Sequence, residues 1–225
     1  MARVATNRWE SFERWSPALF LLAGASLLVV LAVTTFEQVT GTAIPDIAYW
    51  PLFPSSIAAA LAGLVGFYPR LVEQVPRPAK VGLGLALSGG VLLLGGLAVL
   101  FMTAPPGSYP GSLGPLGAPF LLGLVLFVPA FGVYGVAGLR TATLSRRVSS
   151  LLLAAAVVQL GELAGALFVF PATAARTSAQ TGWFLIFEVL TYGAIIAALV
   201  GIGHALQTDA LAAEHEVEER DWMKV

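Results

Sequence analysis

Residues 140–170 read RTATLSRRVSSLLLAAAVVQLGELAGALFVF, a short basic turn followed by a long apolar run. The run from Val148 to Phe170 carries one ionisable side chain, Glu162. It is long enough to cross a ~30 Å hydrocarbon core, which takes roughly 20 helical residues at 1.5 Å each. It lacks the apolar/polar alternation of a barrel strand, and such strands are about half as long. In lipid, a helix satisfies every backbone group within one segment, so a helix is the element expected here.

Working outward, five further runs match it, at about Pro17–Val39, Leu52–Tyr68, Val81–Met102, Pro115–Gly138 and Gly182–Ala205. The second is the shortest, and Pro51 and Pro54 interrupt its outer end. Basic residues fall on alternate connections. Arg3, Arg8 and Arg14 precede the first run, and Arg70, Arg77 and Lys80 separate the second from the third. Arg140, Arg146 and Arg147 join the fourth to the fifth, Arg220 and Lys224 follow the sixth, and Arg176 alone falls on the opposite side. Positive residues stay on the cytoplasmic face, so this pattern predicts both termini in the cytoplasm. The first run is too long for the 7–15-residue apolar core of a signal peptide, so it is expected to remain as a span.

The fold class that follows is all-α: a polytopic membrane protein with six transmembrane helices in one bundle, placed in the cell membrane. Residues 1–206 form the transmembrane domain and residues 207–225 an acidic cytoplasmic tail. Composition agrees. The chain is 57% hydrophobic and 11% charged, whereas a soluble domain carries about a quarter charged residues. Its mean hydropathy is +0.84. Cysteine is absent, which excludes disulfides, thiolate metal sites and cysteine nucleophiles. Lys80 and Lys224 are the only lysines, an archaeal-like bias suited to a high-GC or salt-adapted organism.

The connections differ by side. Residues 103–118, TAPPGSYPGSLGPLGA, are uncharged and broken by proline and glycine, which predicts an irregular loop. Tyr49, Trp50 and Trp183 fall at outer boundaries and Trp9, Trp15 and Tyr68 at inner ones, where amphipathic rings favour the headgroup layer. The tail is expected to continue as a solvated helix with Glu216 and Arg220 paired at i,i+4, projecting away from anionic lipid.

Small residues recur every four positions: Ala59 and Gly63, Ala62 and Gly66, Gly84 and Ser88, Ala86 and Gly90, Gly161 and Gly165. The sixth run adds Gly193, Ala197, Gly201 and Ala205. Such stripes let helix backbones approach closely, and packing within the bundle is the expected use. Pro129 is expected to bend the fourth helix.

Two carboxylates, Glu162 and Glu188, fall inside the predicted hydrocarbon layer, with no lysine or arginine beside them in their runs. A charge at the bilayer centre costs about 3 kcal/mol or more. Counting at 1.5 Å per residue puts Glu162 roughly 12 Å and Glu188 roughly 9 Å below the outer surface. The fifth and sixth runs are consecutive and antiparallel, so the two acids are expected to face each other. Gln159 lies one turn before Glu162 and Tyr192 one turn after Glu188, on the same faces. The candidate intramembrane polar site is therefore Gln159, Glu162, Glu188 and Tyr192. It reads either as polar glue that fixes helix register or as a proton-responsive site.

Other chemistry finds no pattern. His204 and His215 do not offer haem ligands at matching depth, and His204 is expected near last-turn carbonyls at a helix C-terminus. No serine lies beside a histidine, and Asp46 belongs to a loop, so catalytic, metal and cofactor-binding residues are all expected to be none.

The stretches RWSPALFLLAGA (Arg14–Ala25) and GLVGFYP (Gly63–Pro69), with the Arg/Pro-rich turn after them, resemble multi-span membrane proteins of haloarchaea. The resemblance implies a six-helix membrane fold and assigns no functional residue. The function expected is a non-enzymatic accessory or assembly subunit. Its partners would be the lipid bilayer and other membrane proteins, met through small-residue faces or the acidic tail, with no nucleic acid. A small proton-coupled carrier using Glu162 and Glu188 is the alternative.

Overall fold

The computed structural model describes residues 2–42, 44–45, 49, 51–103, 117–165 and 178–222. These residues form six helices: α1 Ala2–Thr40, α2 Leu52–Gln74, α3 Pro76–Thr103, α4 Ala118–Thr141, α5 Arg146–Ala164 and α6 Ser178–Trp222. All six are long and apolar enough to cross a membrane. The helices match the apolar runs, and α1, α2, α3 and α6 extend past them at one end or both. α2 continues through Pro69 to Gln74, and α1 begins far upstream of Pro17. The predicted 103–118 loop and the outer end of the fifth run lie mostly outside the described residues, as do Trp50, Asp46 and the side chains of Glu216 and Arg220.

Each helix packs against its neighbour in sequence, and α6 packs against α1, so the bundle closes on itself. α2 also touches α4, leaving α3 on the outside of that pair. Aromatic rings fill the middle: Phe20 stacks on Phe67 at 5.5 Å, and Phe67 meets the edge of Tyr134 at 6.4 Å. Large apolar side chains also cover the outside, among them Val91, Met102, Val157 and Leu190. That is an unfavourable surface in water and an ordinary one in hydrocarbon.

The tightest contact is between α3 and α4. Gly82, Gly89 and Gly96 recur every seven residues on α3, and Phe120, Phe127 and Tyr134 recur likewise on α4. The helices run antiparallel, so the two series meet pairwise in reverse order. A Cβ at Gly96 would stand 2.6 Å from the Phe120 backbone nitrogen, and one at Gly89 would collide with the Phe127 backbone. From the other side, a Cβ on Gly123 would lie 2.5 Å from the Leu93 nitrogen. Main chain therefore rests on main chain, with the aromatic rings lodged beside it. A seven-residue repeat keeps one face of a helix turned to its partner along several turns.

Several four-residue stripes do something else. Gly84 and Gly95 on α3 and Gly161 and Gly193 have open space where a Cβ would be, and Ser88 and Ala197 are exposed. Others are used as expected: Gly63 receives Phe20, Gly90 receives Leu61 and Gly165 receives Phe187. α4 runs unbroken through Pro129.

The ends of the bundle are built from local chemistry. α4 ends at Ala142 in the left-handed region, φ 53°, and Ser145 caps α5 by accepting from the Val148 N–H at 3.4 Å. Arg70 on α2 pairs with Glu13 on α1, and the Ser16 hydroxyl donates to the Gly63 carbonyl at 3.3 Å. At the opposite end, Gly41 follows α1 with φ 69°, its N–H bonded to the Glu37 carbonyl at 2.9 Å. A left-handed glycine just past a helix is the usual stop, since it carries no Cβ to clash.

Gly89→Ala should destabilise the bundle by about 1–3 kcal/mol through overpacking against the Phe127 backbone. Gly84→Ala should be neutral or slightly stabilising, because alanine favours helix and meets nothing there. Thermal unfolding in detergent checks both; equal midpoints for the two variants would refute the seam.

Candidate functional site

The polar residues singled out from sequence gather at the end of the bundle opposite the basic turns. Glu188 and Tyr192 stand one turn apart on α6, which places both on the face between α1 and α5. The Tyr192 hydroxyl lies near the Glu162 carboxyl of α5, and Glu188 lies close enough for the two acids to interact electrostatically. The structure brings Glu162, Glu188 and Tyr192 together. Gln159 is half-buried one turn away on α5, and among the described residues it shows no bond to the other three.

Two further residues enter from α1. The Gln38 side-chain amide donates to Glu188 at a long 3.4 Å. Glu37 beside it accepts from the Ile44 N–H at 2.6 Å and from the Tyr49 hydroxyl at 2.9 Å. Both Glu37 oxygens therefore hold the chain that follows α1. Tyr49 is buried beside Glu37, whereas Trp183 is exposed.

Sequence reasoning missed Glu37 and Gln38 because they end the first apolar run and look like its polar rim. Their structural partners lie elsewhere in the fold: Glu188 is 150 residues from Gln38. The available signal was depth, since a Glu-Gln pair at the end of α1 sits level with the start of α6 once the two helices are antiparallel.

α6 begins at Ser178, so Glu188 stands about 15 Å from the helix start at 1.5 Å per residue, and it is half-buried. The arrangement ties three helices together, with α6 strapped to α1 through Glu188 and to α5 through Tyr192. Among the described residues, no three His, Asp or Glu side chains come close enough to hold a metal ion.

His204 is placed differently from expectation. α6 continues unbroken to Trp222, so His204 is far from any helix end and no last-turn carbonyl faces it. It is exposed and lines a cleft with Arg146 and Arg147.

Tyr192→Phe should lower bundle stability by about 0.6–2 kcal/mol, the usual range for a hydrogen bond between membrane helices. Adding Glu162→Leu to that background should cost less than Glu162→Leu alone. A double-mutant cycle read by detergent-induced unfolding tests this, and strict additivity would mean that the pair does not interact.

No known family profile, curated protein or solved structure matches this chain.

Proposed function

We propose that the chain is a non-enzymatic membrane protein that packs beside another membrane protein as an accessory or assembly subunit. The observation that carries this reading is the outer face of α3. Gly84, Ser88, Val91 and Gly95 follow helical spacing along it, and both glycines have open space where a Cβ would stand. Ser88 satisfies its hydroxyl on the Gly84 carbonyl of its own helix at 2.6 Å, so the face makes no polar demand. Lipid gains nothing from glycine there, whereas a second helix gains close backbone approach. The acidic extension of α6 supplies a second contact outside the bilayer. The convergence of Gln38, Glu162, Glu188 and Tyr192 from three helices supports a role for the cluster as a clasp between them.

The arginine bias supports a cell-membrane location with both termini in the cytoplasm. The natural absence of cysteine makes this easy to measure. In intact cells, an impermeant maleimide should label Thr42→Cys and leave Gln74→Cys unmodified until the membrane is opened; the reverse pattern inverts the topology.

The accessory role predicts that Gly84→Leu with Gly95→Leu leaves the unfolding midpoint unchanged but removes a partner that co-purifies with the wild-type chain in mild detergent. A wild-type preparation consisting of one monodisperse chain would defeat it. A proton-coupled carrier is the second reading, favoured by the two neighbouring carboxyls. It requires a pH-driven flux in proteoliposomes that Glu162→Gln with Glu188→Gln abolishes.

A further inference from the structure

At the basic end, the first turns of α5 and the middle of α6 enclose an open cleft of about 490 Å³. Arg146, Arg147 and Ser150 line it from α5, and His204 and Thr208 from α6. Leu151, Gly201 and Ala205 form its apolar floor. The carboxyl cluster lies at the other end of the bundle, so this cleft is a separate feature.

From these residues we infer that the cleft binds the phosphate headgroup of an anionic glycerophospholipid. The chemistry of the walls selects a phosphate. Two guanidinium groups present planar donor forks suited to phosphate oxygens, and the imidazole and two hydroxyls add donors. The positive end of the α5 dipole points the same way. Asp209 is the nearest acid on α6, but it sits about 100° round the helix from Thr208. The cleft has the size of an ordinary small-molecule site, for which 300–1,000 Å³ is typical.

The surroundings select a lipid over a free anion. The cleft opens where α5 enters its apolar stretch, at the level of the headgroups. Directly beyond it, on the same helix faces, come Ala154 on α5 and Ala197 and Ala194 on α6, all exposed. Their small side chains put little bulk in the way of an acyl chain lying against α5 and α6 beyond the cleft. Gly201 sets the depth where the two meet: a Cβ there would press on Leu151 at 3.1 Å. A phosphate seated among the arginines would thus have its acyl chain run over exposed alanines rather than bulky side chains. Basic pockets between membrane helices hold lipid headgroups on these grounds.

The test uses the full chain, delipidated in mild detergent, with thermal unfolding followed as phosphatidylglycerol, phosphatidylcholine or inorganic phosphate is added. Phosphatidylglycerol should raise the midpoint, and phosphatidylcholine should do so far less. Arg146→Gln with Arg147→Gln should weaken the phosphatidylglycerol response about tenfold or more. These side chains are exposed, so the unliganded midpoint should stay put. Arg77→Gln with Lys80→Gln removes the same charge from the same end and should keep the response. An equal loss in both double variants would overturn the site in favour of diffuse electrostatics. A full response to inorganic phosphate alone would overturn the lipid in favour of a soluble anion. An undiminished response in the Arg146/Arg147 variant would remove the site altogether.

Discussion

In hydrocarbon, two helices gain little from hiding apolar side chains from each other, because lipid is as apolar as leucine. What remains is dispersion, and dispersion rewards only close approach. The contact between α3 and α4 answers that constraint. Glycines at every seventh residue remove the side chains that would hold the two backbones apart, and Phe120, Phe127 and Tyr134 fill the flanks. The rest of the bundle is arranged around this pair. α2 packs on both of its members, the Phe20–Phe67–Tyr134 ring series carries the contact across to α1, and α6 closes the ring on α1.

The same constraint explains what could be read from the amino-acid sequence. Span number, span position and the alternation of basic turns were legible because each depends on a local property, the length of an apolar run or the charge of a connection. The seam was not. Stripes at four-residue spacing occur on nearly every span, and nothing within one helix separates those facing a partner from those facing lipid. Gly84 and Gly89 differ only in which way they point, and that direction is fixed by α4. The seven-residue series was present in the sequence, but its meaning required the matching aromatic series on another helix.

The polar cluster divides in the same way. Glu188 with Tyr192 is a one-turn relation, and Glu162 follows from the antiparallel placement of consecutive helices. Gln38 joins them only because α6 returns to α1, a closure that no local pattern announces.

The continuity of α6 has a mechanical consequence. No glycine kink, proline or turn separates its apolar part from the acidic stretch ending at Trp222, so the two move as one rod. The portion beyond Leu206 is about 25 Å long at 1.5 Å per residue, and a 10° tilt of the helix would sweep its tip by about 4 Å. Whatever shifts the strapping of α6 to α1 and α5 at one face of the bilayer is therefore transmitted, amplified, to a charged pointer beyond the other.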